Sequence, residues 1–345
     1  MAELLETRDA FADYADKPSR LLFEMGRSGN EPALVTIAIP TYRRPRLLIE
    51  AIRSAAAQDK TEPLDIIVVD NAPDPAFVET LPATLSLPAH VRLRYFGNDD
   101  NLGMFGNWNR AIEKAETRWV TLLNDDDLLS PDFLSRMDAT FNLRTATFGL
   151  ACQKTSFDER KGQTPEGARR GRAARDAVLD FARYGLSDRR TVKPRNLFWD
   201  CIVGNGLGFL FERDKAVAMG GYQPEDFPSA DYFFATRYAA RFGLSQSRAW
   251  LASVRIDENE TLKVSTLEAT IRQNARLRSL ILDANGAPAA WRRWSPWIVA
   301  NQVRIMERLV PERLDTSVTG PLTGNPAPRR PFPLLLTLRL LYRSL

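Results

Sequence analysis

Asn124, Asp125, Asp126 and Asp127 stand in a row after the apolar run Trp119 to Leu123, inside the stretch "TRWVTLLNDDDLLSP". Adjacent carboxylates at the end of a buried strand repel one another unless a cation neutralises them, so the chemistry they point to is cation binding. Their donors are hard oxygens with neither His nor Cys beside them. Such a set suits Mg²⁺ or Mn²⁺, held by one or two carboxylates together with substrate phosphates. The same residues also read as the acidic entry to the next helix, with Ser130 as its cap and Pro131 at its first position.

Composition narrows what else the chain can do. In 345 residues the only histidine is His90, which argues against a zinc site and against Ser-His or Cys-His nucleophilic catalysis. Proton transfer then falls to carboxylates, Lys, Tyr or water. Cys152 and Cys201 are too few for a disulfide framework and fit a reducing compartment. A formal charge of +4 is no signature of nucleic-acid binding. The first 30 residues carry acids and lack a long apolar region, and no run of 18 apolar residues occurs. The expected location is cytoplasmic, with at most peripheral contact at the inner face of a membrane.

The elements that must position the acidic run are legible upstream. "LVTIAIP" reads as a buried strand ending at Pro40, followed by the turn Thr41, Tyr42, Arg43 and a helix from about Arg46 to Gln58 with Leu48, Ile52, Ala55 and Ala56 on one face. "DIIVVDN" is a second strand, closing on Asp70 and Asn71, and "VRLRYF" a third. A helix with Trp108, Ala111, Ile112 and Ala115 as its stripe leads into the strand at Trp119. Strand, helix, strand at this spacing is a right-handed βαβ unit, and three strand ends carry polar residues to one edge, the layout of a nucleotide-binding half-domain. The first turn, "IPTYRRP", has neither G-x-G-x-x-G nor a P-loop, so hydride transfer and P-loop phosphoryl transfer lose ground.

"VTIAIPTYRRPRLLIEAIRSAAAQ", "IIVVDNA", "NLGMFGNWNRAIEKA" and "WVTLLNDDDLLSPDFL" resemble, in order and spacing, the successive motifs of family 2 glycosyltransferases with the GT-A fold. The match covers about residues 34 to 141 and continues more weakly to about 255. The resemblance implies an α/β fold of GT-A type, a Rossmann-like, mostly parallel sheet flanked by helices. It also implies a nucleotide-sugar donor lying across the strand ends. Pro40, Thr41, Tyr42 and Arg43 would border its base and ribose, Asp70 with Asn71 would receive the base, and Asp126 would ligate the metal, with Asp125 near the ribose or donor sugar. Asn124 stands where the family's D-x-D element commonly starts with an acid, and Asp127 could serve as an alternative ligand. Asn101 and Arg110 flank the same pocket, although Asn101 with Gly103 also reads as a turn and Arg110 as a solvated helical residue.

Further on, Phe133, Leu134, Met137 and Phe141 mark the inner face of a helix over 131 to 143. "DERKGQTPEGARRGRAARD" lacks apolar periodicity and reads as a surface segment, whose Arg169, Arg170, Arg172 and Arg175 could hold an anion. A strand carrying Gly204, Gly206 and Gly208 is expected next, then a short helix stopping at Gly220. Ser229 can cap the following helix, whose Asp231 matches the family's catalytic base, the preceding acid of the usual pair being Ala230 here. Asp231 also reads as a helix N-terminal acid favoured by the macrodipole. Arg255 or Lys263 is the expected diphosphate contact, and "QSRAW" lacks the Q-x-x-R-W spacing of processive relatives, which favours single addition.

The domain division expected is an N-terminal extension at 1–33, a GT-A domain at 34–256, a helical appendage at 257–319 and a Pro-rich linker with a basic amphipathic tail at 320–345. The appendage could complete an acceptor site or form a homodimer contact, with Trp294, Ile298, Ile305 and Leu309 on one face of its second helix. The function expected is metal-dependent, inverting transfer of one sugar, with Mn²⁺ or Mg²⁺ as cofactor. The donor would be a nucleotide diphosphate sugar, a UDP-sugar first, and the acceptor a saccharide or lipid-linked hydroxyl of bacterial surface polysaccharide or glycoconjugate synthesis. No nucleic-acid partner is expected. A catalytically inactive nucleotide-sugar binding module and a nucleotidyltransferase are the rivals.

Overall fold

A strand whose residues are apolar without alternation needs cover on both faces, and the runs Val35–Thr41 and Leu64–Asp70 are buried along their whole length. Along the first, Ile37 and Ile39 enter the apolar cluster on one side of the sheet and Ala38 enters the other. Along the second, Ile66 and Val68 oppose Ile67 and Val69 in the same way. The fold is therefore two layers of helices on a central sheet. The computed structural model of the chain describes residues 2–29, 31–167, 184–204, 206–256, 263–308, 310 and 313–323.

The strands are β1 Ser19–Gly26, β2 Val35–Thr41, β3 Leu64–Asp70, β4 Val91–Asn98, β5 Trp119–Leu122, β6 Leu128–Leu129, β7 Gly149–Asp158, β8 Arg189–Thr191, β9 Phe209–Glu212 and β10 Leu244–Ile256. Their order across the sheet is β1-β4-β3-β2-β5-β9-β7-β10-β6, with β8 also paired to β10. β4, β3, β2 and β5 run parallel, as do β7 and β10, while β9 runs antiparallel between the two groups. Thr41 is level with Asp70, and Asp70 with Gly97, so three carboxyl ends finish together at one edge. This is the expected mostly parallel α/β arrangement.

The helix Pro45–Ala56 starts on its proline and buries Leu48, Ala51, Ile52, Ala55 and Ala56 against the sheet. Each Leu or Ile so buried contributes roughly 1.5–3 kcal/mol. The helix expected over 131 to 143 spans Phe133–Phe141, with Phe133, Leu134, Met137 and Phe141 inward as predicted. Ser130 does not cap it. Its hydroxyl donates to the Asp132 carboxylate instead.

The N-terminal residues are no extension. β1 pairs antiparallel with β4 and closes that edge of the sheet, and Leu4, Ala10 and Phe11 are buried. Gly106 in the helix Gly103–Lys114 has no room for a side chain, since a Cβ there would lie 2.6 Å from the Tyr14 ring. The strand expected through Gly204, Gly206 and Gly208 begins later, at Phe209, and the three glycines occupy the turn ahead of it at positive φ. At the other end, the helices Val264–Asp283 and Ser295–Met306 share their core with the domain, because Leu277, Ile281, Trp291 and Ile298 join the cluster that holds Phe233 and Phe234. Ile305, expected on one face of the second helix with Trp294 and Ile298, is 44% exposed. Leu309, the 169–175 arginines and the tail beyond residue 323 lie outside the described residues. Among the described residues no helix is long and apolar enough to cross a membrane.

Candidate active site

β2 and β5 are parallel neighbours with Ala38 level with Leu122, so the Thr41 turn and the acidic run leave the sheet side by side. Thr41 Oγ1 donates to Asp125 Oδ2 at 2.7 Å, and the Tyr42 amide lies 3.4 Å from the same oxygen. Arg44 Nη1 reaches Asp126 Oδ2 at 2.7 Å and Asp125 Oδ1 at 3.3 Å. Burial pushes the Asp125 carboxyl up to about 6, against the pull of Thr41 and Arg44. Tyr42 and Arg43 remain exposed at the rim, the Arg43 guanidinium 5.1 Å from the Tyr42 ring centre. Arg43 holds a positive φ of 56°, a conformation that costs about 1 kcal/mol or more in a residue with a side chain and collects at functional turns. Pro40 is buried within β2, level with Val69.

Asp70, at the end of β3, accepts from Tyr95 Oη at 2.6 Å and from the Ala72 amide at 2.9 Å. Burial raises its pKa, and those two bonds oppose the rise. Asn71 is tied in on three sides: its amide donates to Gly103 O at 3.0 Å, and its oxygen accepts from Asn98 at 2.8 Å and from the Leu102 amide at 3.2 Å. Asn107 donates onward to Val69 O at 2.9 Å and Thr41 O at 3.2 Å. Side-chain amides thus lock the ends of β2, β3 and β4 to the helix Gly103–Lys114.

Three expected members of the site are used elsewhere. Asp127 accepts from Asn124 Nδ2 at 3.0 Å and from the Arg255 amide at 3.1 Å, and is 2% exposed, so it fastens β10 to the acidic run. Asn101 closes its own turn by accepting from Gly103 N at 2.9 Å. Arg110 donates to Tyr14 O at 2.7 Å and Ser19 Oγ at 3.0 Å, and pairs with Glu113 at 2.9 Å, which anchors the N-terminal segment. The guanidinium of Arg255 is likewise committed, to Glu159 at 2.6 Å, Glu50 at 2.5 Å and Asp126 O at 3.0 Å.

Asp125 and Asp126 are left as the carboxylates facing a cation, and a cation, the Arg44 guanidinium, already rests on them. Among the described residues no group of three or more His, Cys, Asp or Glu side chains is gathered for a metal. Two carboxylates completed by phosphate oxygens are what Mg²⁺ and Mn²⁺ accept, so the residues present fit such an ion when it arrives with a diphosphate.

On the far side, Asp231 sits in the first turn of the helix Ala230–Phe242 and accepts from the Tyr232 amide at 2.8 Å. Burial pushes its carboxyl up to about 6, while the Tyr232 amide and the Lys154 ammonium pull it down. A Cβ built on Gly206 would lie 3.8 Å from both Asp231 Cβ and the Tyr222 hydroxyl, so the glycine turn lies against Asp231, and the positive φ of 76° is what favours glycine there. Ser229 does not cap the helix through its hydroxyl, which is buried without a hydrogen-bond partner.

With this geometry in place, comparison with known proteins is decisive. The family model described as glycosyl transferase family 2 matches residues 36–209. The chain belongs to that family. This family 2 glycosyltransferase is 32% identical over 113 residues to the succinoglycan biosynthesis protein ExoO of Rhizobium meliloti, a match covering 31% of each chain. In fold it is similar to Staphylococcus aureus TarS 1–349 in complex with UDP-GlcNAc, with a TM-score of 0.51, 13% identity and 90% of each chain covered. It is also similar to the mannosyltransferase PcManGT of Pyrobaculum calidifontis in complex with GDP-Man and Mn²⁺, with a TM-score of 0.52 and 16% identity over 97% of this chain and 90% of that one. The GT-A fold expected from the motifs is the fold of this enzyme.

Sequence reasoning missed one cation of the family 2 enzyme. Lys154 on β7 donates to Val203 O, and burial lowers its pKa while Asp231 and Asp127 among others oppose the fall. Its place beside the glycine turn follows from β7 pairing with β9, the strand that the turn enters, a contact between residues about sixty apart that no local pattern announces. The asparagines of "NWN" did carry a signal. Asn107 and Asn109 fall among the buried residues of an amphipathic helix, where an amide needs partners.

Proposed function

We propose that this glycosyltransferase moves one sugar from a nucleotide diphosphate donor to a hydroxyl acceptor with inversion, using a divalent cation and Asp231 as general base. The observation that carries the reading is the presence of two sets of carboxylates: Asp125 and Asp126 at the carboxyl edge of the parallel sheet, and Asp231 against the glycine turn with its carboxyl pushed up to about 6. A base poised just below neutral is ionised at pH 7 and still basic enough to take a proton. Asp125 and the Thr41–Arg43 turn would border the nucleoside, Asp70 and Asn71 the base, and Asp126 would hold the cation. When bound, the cation supplies positive charge that stabilises the departing diphosphate.

The acceptor oxygen attacks the anomeric carbon, the bond from that carbon to the diphosphate oxygen breaks, and the acceptor proton passes to Asp231. UDP-sugars are the first donors to test, since the similar TarS structure holds UDP-GlcNAc, with GDP-mannose second on the strength of PcManGT. The relative ExoO is named for succinoglycan biosynthesis, which supports a saccharide or lipid-linked saccharide acceptor. The test is a panel of nucleotide sugars screened for thermal stabilisation in Mn²⁺ and in EDTA, followed by release of free nucleoside diphosphate from any hit. A ligand raises the melting temperature by mass action only if the folded state binds it. No shift with any nucleotide would sink the donor reading, and a shift without turnover on any saccharide would leave a binding protein.

A further inference from the structure

Arg44 is the side chain whose cation rests on the acidic pair, and its surroundings define what it can do there. One nitrogen, Nη1, spans both carboxylates, at 2.7 Å from Asp126 and 3.3 Å from Asp125. The acids are fixed, their side chains 9% and 17% exposed and Asp125 held by Thr41, whereas the Arg44 side chain is 37% exposed. Its backbone is pinned, since Arg44 O accepts from Leu48 N at 3.0 Å to start the helix Pro45–Ala56. The movable part of this contact is therefore the guanidinium.

A divalent cation ligated by Asp126 would share that carboxylate with the Arg44 guanidinium bonded to it, and the two like charges would repel each other and compete for the same oxygens. We propose that Arg44 is a resident counter-ion of Asp125 and Asp126 which the metal must displace, so that metal and nucleoside diphosphate bind cooperatively. Once displaced, the guanidinium needs an anion, and the diphosphate that accompanies the metal offers planar, two-point recognition. Neither ligand alone settles the charge. Metal alone strands Arg44, and diphosphate alone meets two carboxylates. The proposal rests on the reading of Asp126 as a metal ligand.

The test is Mn²⁺ binding to the whole chain, followed by the spin-resonance signal of free Mn²⁺, with and without UDP, in wild type, Arg44→Gln and Arg44→Lys. Without UDP, Arg44→Gln should bind Mn²⁺ at least about 5-fold tighter than wild type, and UDP should tighten Mn²⁺ by about 5-fold or more in wild type but by much less in the variant. Arg44→Lys, which keeps the charge, should stay close to wild type. Unchanged or weaker Mn²⁺ binding by a folded Arg44→Gln, with UDP still promoting the metal, overturns the counter-ion and leaves the donor reading intact. UDP binding with no Mn²⁺ uptake in any of the three proteins overturns Asp126 as a ligand and the counter-ion with it. Should Arg44→Gln fail to fold, the wild-type protein decides: Mn²⁺ affinities equal with and without UDP overturn the cooperativity.

Discussion

Asn109 holds Tyr222 by the backbone on both sides: its amide donates to Tyr222 O at 2.9 Å and its oxygen accepts from Tyr222 N at 2.8 Å. The clamp joins the helix Gly103–Lys114, whose Asn107 ties down the carboxyl ends of β2 and β3, to the loop that enters the helix of Asp231. Gly221 is required beside it, because a Cβ there would lie 2.5 Å from Asn109 Oδ1. Asn109→Ala leaves a buried amide and carbonyl unpaired, at roughly 1–3 kcal/mol. The variant is expected to melt several degrees lower and to lose transfer rate while nucleotide affinity stays within about threefold. Thermal melting and a nucleotide titration check this, and an equal loss of affinity would show that the clamp serves the donor half instead.

Asp231→Asn keeps shape but cannot take a proton. Transfer should fall by at least about 100-fold with donor affinity within a few-fold of wild type. A stability gain should accompany the loss. The folded carboxyl, pushed up to about 6, lies above its unfolded value, so ionisation costs stability progressively as pH rises through that window. The variant should melt above wild type at pH 7.5, and the gap should close towards pH 4. A variant with near-normal turnover would move the base elsewhere.

The pH profile of transfer should show an acid limb near 6, where Asp231 gains its proton. Lys154 is one of the groups that lower that value. Lys154→Met removes its charge while keeping its bulk, so the limb should move to higher pH. A limb that stays in place would show that Lys154 acts only through Val203.

Asp126→Asn and Asp127→Asn should part company although the residues are adjacent. The first should weaken UDP binding in Mn²⁺ far more than in EDTA. The second leaves one oxygen for two donors and sets an amide NH2 against either Asn124 Nδ2 or the Arg255 amide, so its cost should appear as a lower melting temperature with the Mn²⁺ dependence of UDP binding preserved. Equal metal dependence of the two defects would contradict the division of roles.

Arg110→Ala should destabilise the protein without changing nucleotide affinity, because its donors hold Tyr14 and Ser19. Limited proteolysis should then cut first within residues 2–26. Loss of UDP binding with an unchanged melting temperature would return Arg110 to the pocket.

The parallel half of the sheet was legible because its strands are apolar on both faces, and the acidic run was legible because nothing in a buried strand end tolerates it unpaired. What escaped depended on partners distant in sequence. "SRLLFEMG" exposes Arg20, Leu21 and Leu22 in a row, which breaks the alternation that would mark a strand, and it becomes β1 only because β4 offers an edge some 70 residues later. The contacts of Asp127, Arg110 and Arg255 could not be read from the sequence for one reason. Each is a charged residue near the site in sequence, and the chain spends each on another element.

The N-terminal segment has a consequence for how the chain must fold. Ala10 N bonds to Gly220 O at 3.1 Å, and Arg237 Nε bonds to Leu4 O at 3.1 Å. Residues made early in synthesis therefore wait for partners more than 200 positions later, and at about 5–20 residues per second that delay lasts on the order of 10 to 40 seconds on the ribosome. During that interval Leu4 and Phe11 lack the core that they enter in the folded chain, so their apolar side chains stay exposed until the helix Ala230–Phe242 has been made.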